Sequence, residues 1–128
     1  MIRSLFYITG QPIRTDIPPK ELTRLLRRRG LFWVDFTGEP PEVCEPILRD
    51  FGFHPLAIED ALQKTHVPKI DDWGAYLYIV LNVLRYRSEN GSFHPIVDEL
   101  DVFLGNNYIV THHHQPLAAI DDTCRSPS

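Results

Sequence analysis

The run Phe51–Trp73, FGFHPLAIEDALQKTHVPKIDDW, limits the possible folds more than any other stretch of the chain. It holds a helix stop, a helix start, the adjacent acids Glu59 and Asp60, and a Pro-Lys turn. Gly52 follows an apolar helical pattern and can take the left-handed conformation that closes a helix. His54-Pro55 then restarts one, because proline suits the first helical position, where its missing N–H is not needed. Glu59 and Asp60 sit about 100° apart around that helix. They do not share a face as an i,i+4 pair would. One acid can meet a neighbour within the fold while the other meets water or a partner. Thr65-His66-Val67-Pro68 ends the segment, since the residue before a proline is pushed out of the α region.

Two rounds of strand and helix precede this run. Ile2–Ile8 reads as a first strand. A helix follows from Pro18-Pro19 through Arg29, with the stripe Leu22, Leu25, Leu26. Arg27, Arg28 and Arg29 crowd its C-terminal end, where cations are favoured; they read as a solvated terminus. Leu31–Phe36 is the second strand. Glu39-Pro40-Pro41 opens a second helix, with Val43, Ile47, Leu48 and Phe51 as its buried stripe. Beyond the central run the chain reads as sheet. Ala75–Arg87 is apolar on both faces, which predicts an interior strand covered on both sides. Ser88-Glu89-Asn90-Gly91 is a hairpin signal. Phe93–Leu104 returns antiparallel, and Tyr108–His112 follows a Gly-Asn-Asn turn. A last helix begins near Pro116. The expected class is α/β, with a mixed parallel and antiparallel sheet packed between helices. Residues 1–116 form the expected domain and 117–128 the start of a following helix.

Several function classes are excluded or left without support. The formal charge of −4 gives no basic footprint for nucleic acid. Cys44 and Cys124 are too few for a disulfide scaffold. The longest apolar run, Tyr76–Leu84, is far shorter than the roughly 20 residues a membrane helix needs. No phosphate-cradling glycine loop, nucleophile elbow or H-E-x-x-H spacing is present, so the chain is not read as an enzyme. Cys44 has no base partner in sequence and reads as a buried or unreactive thiol. His112-His113-His114 invites a metal reading, but on a strand only His112 and His114 share a face, so the three do not make a three-ligand site. His54 reads as a helix-entry residue. Glu99 and Asp101 share one strand face, expected to be solvated or ion-paired, with a cation contact as the second reading. Glu59 or Asp60 could simply pair with Lys64, Lys69 or a helix end.

FGFHPLAIEDAL, followed by VPKIDDWGAYLYIVLNVL, resembles the N-terminal cytosolic domain of the CorA family of magnesium channels, with its ZntB-type zinc-transporting relatives. Trp33-Val34-Asp35-Phe36 is similar to an early strand of that family. Glu99–Gly105 and Tyr108–Thr111 are similar to its later strands. The likeness runs from about Leu31 to about Pro116. His66-Val67 departs from it, standing where the family usually has Gln-Arg. The resemblance implies a cytosolic regulatory, ion-sensing domain of a divalent-cation channel, facing the cytoplasmic side of the membrane. It implies magnesium as cargo and regulatory ion, with zinc or cobalt as alternatives. It also implies regulatory sites between neighbouring subunits of a homo-oligomer, a pentamer in the family, with Asp60 as the principal metal ligand and Glu59 as the secondary one. Hard cations of this kind take carboxylate oxygen and keep several waters. Membrane attachment is expected only through segments outside this chain. The alternative is a free-standing α/β ligand-binding or assembly module without transport.

Overall fold

The structure is a computed structural model that describes residues 1–63 and 67–125. Seven strands form one sheet: β1 (Ile2–Tyr7), β2 (Arg14–Thr15), β3 (Leu31–Thr37), β4 (Lys69–Asp72), β5 (Leu77–Glu89), β6 (Ser92–Leu104) and β7 (Tyr108–His113). Four helices accompany them: α1 (Pro19–Leu26), α2 (Pro41–Asp50), α3 (Pro55–Leu62) and α4 (Ala118–Arg125). The spatial order is β2-β1-β3-β7-β6-β5-β4. Only β3 and β7 pair in parallel; the other neighbours are antiparallel. The mixed α/β sheet expected from the sequence is therefore present.

Alternation along the strands separates two faces. One carries Phe6, Phe32, Val34, Phe36, Tyr78, Val80, Phe103 and Val110, all buried. Leu22 and Leu25 of α1, Cys44 and Leu48 of α2, and Ala57, Ile58 and Ala61 of α3 are buried in the same core. Phe53, between α2 and α3, stacks on Phe103 with ring centroids 4.2 Å apart. The chain can turn there because Gly52 holds φ at +90°, a conformation open to glycine without steric cost. The opposite face carries Arg3, Asp35, Thr37, Thr111 and His113, and α4 approaches that side through an Arg3–Asp121 ion pair of 2.8 Å.

Four expectations need correction. The first helix ends at Leu26 with Arg27 as its cap, not at Arg29. Val43 is 39% exposed and not part of the buried stripe; Cys44 joins the expected Leu48 and Phe51 there. The Pro-Lys turn leads at once into a strand, β4, which forms the sheet edge. And β5 is not covered on both sides along its length. β4 accompanies it only as far as Val80, and β7 accompanies β6 only between Asp101 and Leu104. Residues 81–100 thus project as a two-stranded ribbon closed by Asn90 and Gly91, both at positive φ as a tight hairpin requires. Leu84, Tyr86, Phe93 and Val97 are exposed along it.

Candidate functional site

The helix restart works as its residues require. His54 caps α3, its Nδ1 accepting from the Leu56 N–H at 3.1 Å. Its ring stacks on Trp73 at 4.4 Å, and its own N–H donates to the Tyr76 hydroxyl at 2.8 Å. This double tie fixes α3 against the start of β5, and so fixes where Glu59 and Asp60 point. His54 is a helix-entry residue, as expected.

The two acids diverge. Glu59 lines a groove between α2 and α3 with Pro41, Glu45 and Arg49, and accepts from Gln63 Nε2 at 3.4 Å. Asp60 turns toward the sheet edge. Its Oδ2 accepts from Lys69 Nζ at 2.6 Å, and the same ammonium reaches Asp71 Oδ2 at 3.0 Å. The hydrogen bond to Asp60 and then that to Asp71 raise the Lys69 pKa. Lys69 Nζ also lies 5.5 Å from the centroid of the Tyr78 ring. Asp60, Lys69 and Asp71 are each about one-third exposed at the side chain. Two carboxylates thus converge on a single cationic position open to solvent. Among the described residues no three His, Cys, Asp or Glu side chains are placed to hold one metal ion, so any cation here would need waters or donors from elsewhere. The proposed pairing of an acid with Lys64 lies outside the described residues, as does His66.

Beneath this edge lies a buried polar cluster. Glu99 and Asp101 are 4% and 1% exposed, so the solvated face expected for them is wrong. The reason is parity: Asp101 and Glu99 fall on the same strand face as Phe103, which points into the core, and Asp101 lies beside Val80 and His112 in register. The Tyr78 hydroxyl donates to Asp101 Oδ1 at 2.9 Å. Burial, with Glu99 adding its charge, pushes the Asp101 pKa up to about 9. His112 Nδ1 stands 3.8 Å from Asp101 Oδ2, too far to bond, and burial lowers the His112 pKa to about 4. His112 and His114 do share this face, their rings edge to face at 5.3 Å.

On the other face Asp35 is the centre. Its Oδ1 accepts from Thr111 Oγ1 at 2.5 Å and His113 Nε2 at 2.8 Å. Its Oδ2 accepts from Thr37 Oγ1 at 2.6 Å and Arg3 Nη2 at 3.1 Å. Trp33 Nε1 donates to Thr111 Oγ1 at 3.0 Å. Although burial alone would raise it, the donors from His113, Thr111 and Thr37 lower the Asp35 pKa. This cluster was missed from sequence; the clue was that Asp35 and Thr37 fall on the face opposite Val34 and Phe36. Cys44, expected to be inert, is fully buried, and burial pushes its thiol up to about 11.

These features define an α/β domain whose exposed sheet edge offers paired carboxylates and whose interior holds no assembled metal or nucleophile centre among the described residues. Residues 28–126 match the family model described as CorA-like Mg2+ transporter protein, and the chain belongs to that family. It is 39% identical over 83 residues to the protein named "Putative metal ion transporter YfjQ" of Bacillus subtilis strain 168, covering 64% of this chain and 24% of that one. The chain thus spans about a quarter of that relative's length. The soluble domain of CorA from Methanocaldococcus jannaschii superposes with a TM-score of 0.68 at 15% identity, over 98% of this chain and 45% of that one. The full-length CmaX protein gives 0.74 at 20% identity, over 98% and 38%. At such identities the two structures establish the fold alone. No described helix is long and apolar enough to cross a membrane.

Proposed function

We propose that this chain is the cytosolic ion-sensing domain of a CorA-like divalent-cation transporter, with magnesium as the ion sensed and carried, and zinc or cobalt as alternatives. The observation that carries the reading is the position filled by Lys69 Nζ between Asp60 and Asp71. An ammonium is a compact point charge with three donors, and here it occupies the place where a hydrated divalent ion would meet two carboxylates. Magnesium binds through one or two carboxylates and keeps several waters, so Asp60 can serve as principal ligand without a full protein cage. Glu59, one residue away and facing the α2–α3 groove, is the secondary acid and would act toward a neighbouring subunit. The assembly proposed is a homo-oligomer, a pentamer as in the family, attached to the membrane by segments outside this chain.

Lys69 then competes with the ion. Binding of a divalent cation at Asp60 requires the ammonium to swing away, which sets a weak affinity suited to sensing abundant magnesium. Calorimetric titration of the chain with Mg2+ tests this. Lys69→Met should tighten binding about tenfold, since removing a charge-assisted hydrogen-bonded competitor is worth ~1.5 kcal/mol. Asp60→Ala should abolish it. Equal affinity in wild type and Lys69→Met, or binding that survives Asp60→Ala, contradicts the assignment.

A further inference from the structure

His113 is bonded on both ring nitrogens, and the Thr37 hydroxyl that lies 3.1 Å from Nε2 gives its own proton to Asp35 Oδ2 at 2.6 Å. Nε2 meets Asp35 Oδ1 at 2.8 Å, and Nδ1 meets the Gln115 carbonyl at 2.6 Å. A carbonyl oxygen can only accept. Asp35 is also an acceptor here, because its two oxygens already receive Thr111, Thr37 and Arg3, a donor set that favours the ionised carboxylate. A ring protonated on both nitrogens satisfies both contacts at once, and only the cationic imidazole supplies two donors.

The second contact sits at a junction. Gln115 lies between the end of β7 and α4, and α4 buries none of its own residues. Leu117, just before it, is buried, and the Arg3–Asp121 pair joins α4 to β1. Arg3 is shared between Asp121 and Asp35, so the anchor of α4 and the partner of His113 are one group.

We propose that His113 is a proton-controlled latch for α4. The imidazolium holds the Gln115 carbonyl and shares the Asp35 charge with Arg3, leaving Arg3 free to grip Asp121. Loss of the proton puts a ring lone pair against either the carbonyl or the carboxylate, so one of the two bonds breaks. It also leaves Asp35 with Arg3 as its sole cation, drawing the guanidinium away from Asp121. Both changes loosen α4. The charged or titratable groups around the ring are Arg3 from β1, Asp35 from β3, His112 beside it in β7, and Asp121 and Cys124 from α4. The Cys124 thiol is held above its ordinary range by burial. Hydrogen bonding to Asp35, aided by the Gln115 carbonyl, raises the His113 pKa despite its burial. The latch is thus closed below about pH 6.5, the ordinary imidazole value, and opens as pH rises through the raised one. Closure also needs the Asp35 charge, present above its own lowered pKa.

The test combines two readings on the 128-residue chain: ring-nitrogen NMR of His113, and amide hydrogen exchange of Ala118–Arg125 corrected for the intrinsic effect of pH. The expected result is a doubly protonated ring at pH 6 and a fall in α4 protection of at least about threefold. The midpoint of that fall should coincide with the ring's titration. In His113→Gln the step in protection should vanish. A neutral ring at pH 6, a step persisting in His113→Gln, or α4 protection that stays flat while the ring titrates overturns the proposal. Should His113→Gln fail to fold, the coincidence of the two wild-type midpoints still decides.

Discussion

His112 and His113 are neighbours in one strand, yet they sit on opposite faces of the sheet in contrasting electrostatic surroundings. His113 meets an ionised Asp35 that also receives two threonine hydroxyls and an arginine. His112 meets an Asp101 that burial and Glu99 hold toward the protonated form. Both pairs are almost completely buried. What separates them is the number of donors supplied to the carboxylate, since a buried charge survives only where hydrogen bonds and an opposite charge replace water. On the Asp35 face the surrounding donors favour two charges. On the Asp101 face burial and the neighbouring Glu99 favour a neutral Asp101, and burial favours a neutral His112.

This contrast can be broken most sharply at Asp35. Asp35→Asn leaves the buried His113 without its anion and Arg3 with Asp121 alone, and should lower unfolding free energy by about 3–5 kcal/mol. A loss below ~1 kcal/mol in urea melts would show that the cluster is not an ion cluster. The reverse sign is expected at Asp101. A carboxyl whose folded pKa is raised contributes stability that is complete below its unfolded pKa near 3.8 and is lost as pH climbs through the folded value of about 9. Asp101→Asn should remove that slope, up to about 1.4 kcal/mol per pH unit for one proton, and should make the protein more stable than wild type at pH 8. Destabilisation at pH 8 would mean that Asp101 is charged. His112 supplies a smaller effect on the acid side. Its folded pKa is depressed to about 4, so its contribution is full above about 6.5 and is lost as pH falls toward 4. His112→Gln should flatten that limb in a stability–pH profile. The smallest effect belongs to a residue outside both clusters: Phe93→Ser, on the exposed ribbon, should change stability by about 0.5 kcal/mol or less.

The sequence carried the elements well where local chemistry acts alone. Pro55 after His54, Gly52 and Asn90-Gly91 each set a boundary that the backbone then shows. The family, with its α/β sheet, was readable from ordered segments spread over most of the chain. What the sequence withheld depends on lateral partners. β4 is four residues long and owes its existence to pairing with β5, which no local pattern announces. The outer half of β5 still carries Leu81, Val83, Leu84 and Tyr86, and nothing in the strand itself reveals that β4 stops at Val80. For the candidate site, the divergence of Glu59 and Asp60 followed from helix geometry alone, and Lys69 was among the partners considered. Asp71 as the second carboxylate was not, because it reaches Lys69 only once β4 forms. The burial of Glu99 and Asp101 was masked by their charge, although their parity with Phe103 pointed inward.

The account rests on Asp60 as a sensor of divalent ions in an assembled transporter. The most direct test is to isolate the native gene product from membranes and follow its oligomeric state against Mg2+ concentration, in wild type and Asp60→Ala. The account predicts a product longer than 128 residues whose wild-type assembly responds to Mg2+, with the response lost or shifted at least about tenfold in Asp60→Ala, the scale of one lost charged contact. An identical Mg2+ response in the two proteins, or a native product confined to the cytosol, would contradict it.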